Sequence, residues 1–170
     1  VTTFREEEAY LDNRHPSSIH YIDDLYTDLQ RRDFTINAIC MDQDGKIIDP
    51  LNGQIDLSNR IIKTIVDPYK SFTDDALRIL RAIRFAINLD FNLDSQLKLA
   101  INETKKYLKN ISYDRKKREL DKIFASIHAK EGINLLKELD LLEFLDLENI
   151  DRVKDYSDLI GIWSMINSQV

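Results

Sequence analysis

Apolar residues recur with helical spacing through the last hundred residues of the chain. In a helix of 3.6 residues per turn, apolar positions three and four apart share one face, and they do so repeatedly after Pro68. Asp94 and Ser112 stand where helix N-caps are expected. The pattern predicts helices over 72–87, 94–108, 112–127 and 131–139, and a partly helical segment over 142–170 that breaks at Gly161.

The first third of the chain has the pattern of short strands and turns. Segments 1–4 and 19–22 are predicted strands, and the polar stretch 5–18 between them is a predicted loop. A helical turn over LYTDLQ precedes the apolar FTINAICM, DQDGK has the composition of a hairpin turn, and residues 56–59 favour a helical turn before the strand-like IIKTI. We therefore expect an α+β fold, with a small sheet first and helices after a boundary near Pro68.

Composition and charge narrow the class of protein. Of 170 residues 43% are hydrophobic, enough for a core, and the single cysteine, Cys40, excludes an internal disulfide framework. The net charge of −6 requires any nucleic-acid contact to come from a local basic patch. No apolar run reaches the roughly 18 residues of a membrane span, so we expect a cytoplasmic protein without membrane contact. Because VTTFR lacks Met and begins within a strand pattern, we expect part of a longer protein.

The segment DDALRILRAIRF places three arginines, Arg78, Arg81 and Arg84, on an otherwise apolar predicted helix. They could form a solvated stripe opposite the core, or internal ion pairs with nearby aspartates, or they could line a cleft for a polyanion. Asp75 would weaken a simple phosphate site, but a carboxylate can accept a hydrogen bond from the amino group of cytosine or adenine. Beside Arg78, it could answer the donor and acceptor of a base edge.

A second polar cluster lies in QRRDFTINA. Arg32 and Asp33 fit either a surface ion pair beside a strand or a site in which arginine binds phosphate and the carboxylate accepts from a sugar hydroxyl. Segment 47–65 fits a structural connector. The three histidines lack metal-ligand spacing, and the chain has no glycine-rich phosphate loop.

Taken in order, these motifs resemble the class II tRNA nucleotidyltransferase and bacterial poly(A) polymerase family. The resemblance covers about residues 1–145 and rests on VTTFR, on a DxRxP element at 12–16, on DLQRRDFTINA, on a DP..G..DL turn at 49–57, on DDALRILRAIRFA and on ISYDRKKRELDKIF. It implies the end of a nucleotidyltransferase head over 1–67, a nucleotide-selecting helical neck over 68–145 and the start of a helical body over 146–170.

The resemblance also implies roles for particular residues. Asp75 and Arg78 would form a protein template that selects CTP and then ATP, with Arg81 and Arg84 as further nucleotide contacts. Arg32 would lie on the triphosphate side, Asp33 would meet the ribose, and Asn37 belongs to the same motif. The family usually has Glu where Asp74 stands, which leaves this template intact.

The function implied is addition of CCA to tRNA 3′ ends from CTP and ATP with Mg²⁺. Poly(A) polymerase and CC- or A-adding enzymes share the template, and a noncatalytic RNA-binding helical module is a rival of another class. The family's glycine-rich element does not occur here, and neither does a DxD pair suited to hold two magnesium ions, so we expect no catalytic or metal-binding residues in this chain. An unpaired strand edge at VTTFR would favour pairing with a second copy, a homodimer.

Since the carboxylates for two-metal phosphoryl transfer are missing, we predict that the isolated chain does not polymerise nucleotides. Incubation with CTP and a tRNA lacking CCA should give no extended product on a denaturing gel, whereas measurable CTP incorporation would contradict this expectation.

Overall fold

A computed structural model describes residues 5–7, 19–21, 24–153 and 158–167. Six short strands accompany eight α-helices in the described residues: β1 Arg5–Glu7, β2 Ile19–Tyr21, α1 Leu25–Gln30, β3 Cys40–Met41, β4 Ile47–Ile48, α2 Gly53–Ser58, β5 Ile61–Ile62, α3 Pro68–Asp74, α4 Leu77–Leu89, β6 Asn92–Leu93, α5 Ser95–Thr104, α6 Tyr113–Phe124, α7 Ala129–Glu138 and α8 Leu159–Asn167. Shorter 3₁₀ turns are Thr35–Asn37, Lys105–Asn110, Leu142–Phe144 and Ile150–Arg152. The α+β class is confirmed.

The strands form three separate two-stranded pairs in this part of the molecule. β1 and β2 pair antiparallel, with Arg5 opposite Tyr21, so the loop predicted from Arg5 is wrong at its start, where backbone pairing outweighs the polar composition. The predicted strand 19–22 is confirmed over Ile19–Tyr21, and the predicted strand 1–4 lies outside the described residues. β3 and β4 form the predicted hairpin, whose turn uses Gly45 at φ +81°.

The continuous helix predicted over 72–87 is interrupted at Asp75. This residue has extended backbone angles (φ −147°, ψ 101°) between α3 and α4. Its carboxylate Oδ1 accepts from the N–H of Leu77, the first residue of α4, at 3.1 Å. Such local side-chain bonding competes with helical hydrogen bonds, and hydrophobic periodicity does not detect it. The consequence is that Asp75 lies in a bend between helices, not in a row with the arginines.

The later helices begin largely where the sequence predicts. The Asp94 carboxylate caps α5 by accepting from Gln96 N at 3.0 Å, although the α-helix ends at Thr104 and continues to Asn110 as 3₁₀ turns. α6 follows Ser112 as expected. The break predicted at Gly161 is wrong, because α8 continues through it. A Cβ at this glycine would lie 2.6 Å from Asp158 Oδ2, so close approach explains the residue.

One apolar core connects the first third of the chain to the helices. Phe34 and Ile62 are fully buried in the same cluster as Ile79 and Leu80 of α4 and Phe124 of α6. β5 also pairs in parallel with β6, which follows α4. Each such buried side chain contributes roughly 1.5–3 kcal/mol of transfer free energy. The expected division at Pro68 stays a prediction, and the core is continuous across it.

None of the helices in the described residues has the length and apolar character needed to cross a membrane.

Gly53, the first residue of α2, is packed directly against the backbone of Thr35. A Cβ there would overlap Thr35 O and lie 2.8 Å from Ile39 Cγ1. Because a carbonyl in a packed 3₁₀ turn cannot move aside cheaply, we predict that Gly53→Ala lowers the free energy of unfolding by about 1–3 kcal/mol in urea denaturation. Ser58→Ala, an exposed position of the same helix, should change it by no more than about 0.5 kcal/mol. Equal stabilities for the two variants would contradict the packing assignment.

Candidate nucleotide-binding site

Arg78 is a buried residue of α4, with 9% of its surface exposed. Its Nη1 donates to Ser71 Oγ at 2.9 Å, and its Nη2 donates to the carbonyl of Arg31 at 2.8 Å. A solvated stripe is therefore the wrong description of this position. The bond to the Arg31 carbonyl fixes α4, the helix that carries the three arginines, against the backbone of the RRDF segment, 47 residues earlier. We call α4 the arginine helix.

Arg81 joins the same two segments through an ion pair. Its Nε donates to Asp33 Oδ2 at 2.7 Å, and Asp33 is only 6% exposed. The other oxygen of Asp33 accepts from Phe34 N and from Asn37 Nδ2, each at 2.9 Å. The Asp33 carboxylate thus holds the 3₁₀ turn Thr35–Asn37 and α4 together. Of the alternatives given for the three arginines, the internal ion pair is the one observed for Arg81.

Arg32 is held by a residue that the sequence analysis did not select. The fully buried Asp28 accepts from Arg32 Nη2 at 3.0 Å and from Arg31 Nε at 3.1 Å. Arg32 Nη1 also donates to the carbonyl of Asn37 at 3.2 Å. The spacing of three and four residues from Asp28 to the two arginines on a helical turn was the signal that could have found it.

Arg84 joins α4 to α6. Its Nε donates to Glu119 Oε2 on α6 at 2.7 Å, and its guanidinium lies 4.3 Å from the centre of the Phe85 ring. Arg81 lies 5.7 Å from the centre of the same ring, and Phe34 packs edge-on against it. The aromatic ring therefore lies between the two arginines and the core.

Asp75 contacts α6 as well as α4. Its Oδ2 accepts from Arg115 Nη2 at 3.0 Å. Arg115 is a second residue that the sequence analysis did not select, and no spacing along the chain relates it to a carboxylate 40 residues away. Three of the seven predicted residues, Asp33, Arg78 and Arg81, make the contacts that link 31–37 with 75–84. The side chains of Arg32 and Asn37 contact residues of 28–37, whereas those of Asp75 and Arg84 contact α6.

The arrangement presents donors and acceptors together rather than a uniformly positive surface. Side-chain exposure is 34% at Arg81, 28% at Arg32 and 19% at Asp75, so all three can reach a ligand. Burial raises the pKa of Asp74, although the positive charges of Lys70 and Arg78 act to lower it. Burial also raises that of Glu119, but hydrogen bonds from Lys122 and Arg84 outweigh it and hold the pKa below its ordinary value.

The carboxylates of this cluster do not fit a divalent metal. Asp33, Asp75 and Asp28 are each paired with arginine, and no group of three or more His, Cys, Asp or Glu residues in the described part of the chain could hold an ion. A magnesium site of the family type would need carboxylates that these residues do not supply.

Comparison with known proteins identifies the family. Residues 1–63 match the poly A polymerase head domain, and residues 90–149 match the probable RNA and SrmB-binding site of polymerase A. The chain belongs to the poly(A) polymerase and tRNA nucleotidyltransferase family. Enzymes of this family generally use a divalent metal ion.

The relatives are CCA-adding enzymes. The chain is 47% identical over 147 residues to the CCA-adding enzyme of Geobacillus sp. (strain WCH70) and 42% identical over 143 residues to that of Lactobacillus helveticus, covering 86% and 84% of this chain. It spans 36% of the length of each of these relatives.

Solved structures give the same result for the fold. The Bacillus stearothermophilus CCA-adding enzyme in complex with CTP matches 92% of this chain and 38% of its own, with a TM-score of 0.79 and 34% identity. The Thermotoga maritima CCA-adding enzyme complexed with tRNA matches 84% of this chain and 40% of its own, with a TM-score of 0.68 and 28% identity.

The hydrogen bonds from Lys122 and Arg84 to Glu119 predict a pH-dependent stability. Because the folded chain lowers the pKa of Glu119, its ionised form adds stability above the ordinary value of 4.5, and this stability is lost as the pH falls through the lowered value. We predict that Glu119→Gln reduces the free energy of unfolding by roughly 1–3 kcal/mol at pH 7. The difference from the unmodified chain should narrow below pH 4.5.

Urea denaturation at pH 7 and at pH 4 measures both effects. Glu148→Gln, at an exposed carboxyl, is the control and should change stability little at either pH. A constant difference between Glu119→Gln and the unmodified chain at both pH values would show that the charge of Glu119 does not contribute.

Proposed function

We propose that this chain is the nucleotide-selecting part of a CCA-adding enzyme, which extends tRNA 3′ ends with CTP and ATP. The observation that carries the proposal is the junction of two segments, 31–37 and 75–84, through Arg81–Asp33 and through Arg78 with the Arg31 carbonyl. Relatives named CCA-adding enzyme, and similar structures described with CTP and with tRNA, support it.

Selection would come from Asp75 and Arg78. Cytosine and adenine present an amino donor next to a ring-nitrogen acceptor, and a carboxylate beside a guanidinium offers the complementary acceptor and donor. At the position of this amino group, uracil and guanine have a carbonyl oxygen, which a carboxylate repels. The pair would therefore accept C and A and reject U and G without a nucleic-acid template.

The remaining residues would hold the rest of the nucleotide. Arg32 would bind the triphosphate through the donors that remain beside its bonds to Asp28 and to the Asn37 carbonyl, and Asp33 would accept from the ribose hydroxyl. Arg81 and Arg84 would add nucleotide contacts, and Asn37 would hold Asp33 in place. Since these residues, like Asp75 and Arg78, already have protein partners, we expect the ligand to share these bonds rather than to find free charges.

Chemistry on the nucleotide requires groups beyond this cluster. Two-metal phosphoryl transfer needs free carboxylates to hold Mg²⁺ ions, which would activate the attacking hydroxyl and stabilise the leaving pyrophosphate. The carboxylates described above are paired with arginine, so we propose that Mg²⁺ binds other residues of the intact, cytoplasmic enzyme. The residues of this chain would bind and orient the nucleotide.

Two other functions use the same features. A poly(A) polymerase or a CC- or A-adding enzyme would share Asp75 and Arg78, and product analysis with the intact protein on tRNA lacking CCA separates these activities. A noncatalytic RNA-binding module has support from the match of residues 90–149 to a probable RNA-binding region. It would bind RNA without discriminating among nucleoside triphosphates.

The test of the proposal is nucleotide choice by the chain and by Asp75→Asn. We predict that the chain binds CTP and ATP more tightly than UTP and GTP in calorimetric titrations. Asp75→Asn, which replaces a pure acceptor by an amide, should reduce the CTP-over-UTP preference by about 1–3 kcal/mol, roughly five- to 150-fold.

Asp90→Asn is a matched control, because Asp90 is an exposed aspartate at the end of α4 in a left-handed conformation that Asn also accepts. It should leave the preference unchanged. Equal affinity for all four triphosphates, in the chain and in the intact enzyme that contains it, would reject nucleotide selection by this chain.

A further inference from the structure

Arg115 of α6 forms a long-range contact with the residue proposed to read the base. Its Nη2 lies 3.0 Å from Asp75 Oδ2, across 40 residues of sequence. About one fifth of each side chain is exposed, 21% for Arg115 and 19% for Asp75. The pair is therefore placed where both members are partly desolvated and where one face of Asp75 can still meet a ligand.

The other terminal nitrogen of Arg115 is unusual. Nη1 is buried and has no hydrogen-bond partner in the described structure. A buried donor without a partner costs stability, so a side chain selected for stability alone would be expected to satisfy it or to lie in solvent. The guanidinium keeps this position while it donates to Asp75, which points to a role in the site rather than in the core.

Asp75 is held from two directions. Oδ1 accepts from the N–H of Leu77 at the start of α4, and Oδ2 accepts from Arg115 on α6. With one donor on each oxygen from two different helices, the plane of the carboxylate is fixed. Without Arg115, Leu77 N is the one donor seen in the described residues that would still hold the carboxylate, which could then turn about its side-chain torsions.

We propose that Arg115 is a positioning residue that fixes the Asp75 carboxylate and so sets the preference for an amino-bearing base. This inference rests on the proposed role of Asp75 in nucleotide selection. A fixed carboxylate accepts from the amino group of cytosine and repels the carbonyl oxygen of uracil. A carboxylate that can turn away loses the repulsion as well as the bond, so discrimination falls more than affinity does.

Arginine suits this role better than another cation. Its planar fork directs donors in fixed directions and keeps its charge when partly desolvated, whereas lysine provides a rotating point charge on a flexible stem. Arg115→Lys would preserve the positive charge but lose the fixed direction of the two donors. A comparison of Lys and Met at this position therefore separates the two contributions.

The experiment measures CTP and UTP affinities of the unmodified chain, Arg115→Met, Arg115→Lys and Arg118→Met by calorimetric titration. Arg118 is an exposed arginine of the same helix and serves as the matched control. We expect Arg115→Met to reduce the ratio of CTP to UTP affinity at least about fivefold, the lower limit for loss of a base-reading contact. Arg115→Lys should reduce it by less, and Arg118→Met should leave it unchanged.

A double variant tests whether Arg115 acts through Asp75. In Asp75→Asn the carboxylate is already lost, so adding Arg115→Met should lower the CTP-to-UTP ratio no further. A further fall by the full factor seen in the single variant would overturn the positioning role. Thermal denaturation accompanies each titration, and Arg115→Lys carries the test if Arg115→Met does not fold.

The outcomes distinguish this inference from the proposed function. A CTP preference that is lost in Asp75→Asn but intact in both Arg115 variants overturns the role of Arg115 alone. Absence of any preference in the unmodified chain overturns the proposed function, and the inference with it. Preference lost in Arg115→Met and equally in Arg118→Met would indicate a general effect of positive charge on α6 and would also reject positioning.

Discussion

The ion pair between Asp33 and Arg81 is the interaction on which the site depends. Asp33 is almost fully buried, and an uncompensated carboxylate in such a place costs several kcal/mol. Arg81 supplies the charge, while Phe34 N and Asn37 Nδ2 satisfy the remaining acceptor. Because these partners come from two segments 48 residues apart, the requirement to neutralise one carboxylate brings the 3₁₀ turn and the arginine helix together.

The same constraint explains how an apolar helix can carry three arginines. α4 buries Ile79, Leu80 and Ile83 in the core. Its arginines lie at the borders of that buried face, each directed to an acceptor on another element: the Arg31 carbonyl, Asp33 and Glu119. Desolvation is thus compensated locally by charge-assisted hydrogen bonds, and the core and the candidate site share one helix in which each arginine has a hydrogen-bond acceptor.

Hydrophobic periodicity predicted the helices because they bury one face. The composition of DQDGK predicted the hairpin, and a cap such as Asp94 has a local signature. The bend at Asp75 depends on a side-chain bond to Leu77 N that the apolar pattern does not contain. α8 continues through Gly161 and buries Ile162 and Trp163 in the core, so packing of the helix outweighs the weak helical propensity of one glycine. Asp28 and Arg115 differ in how far the sequence indicates them. The spacing of Asp28 from Arg31 and Arg32 is a local helical signal, whereas the partner of Arg115 is 40 residues away.

The contacts around Asp75 and Arg78 also bear on how a protein could select a base without a nucleic-acid template. Base pairing between strands is selective because the backbone holds donors and acceptors in fixed positions. Here Ser71 and the Arg31 carbonyl hold Arg78, while Leu77 N and Arg115 hold Asp75. On the proposed function, a mismatched base meets groups that cannot reorient without losing these bonds, so the cost of adapting to uracil or guanine falls on the protein as well as on the ligand.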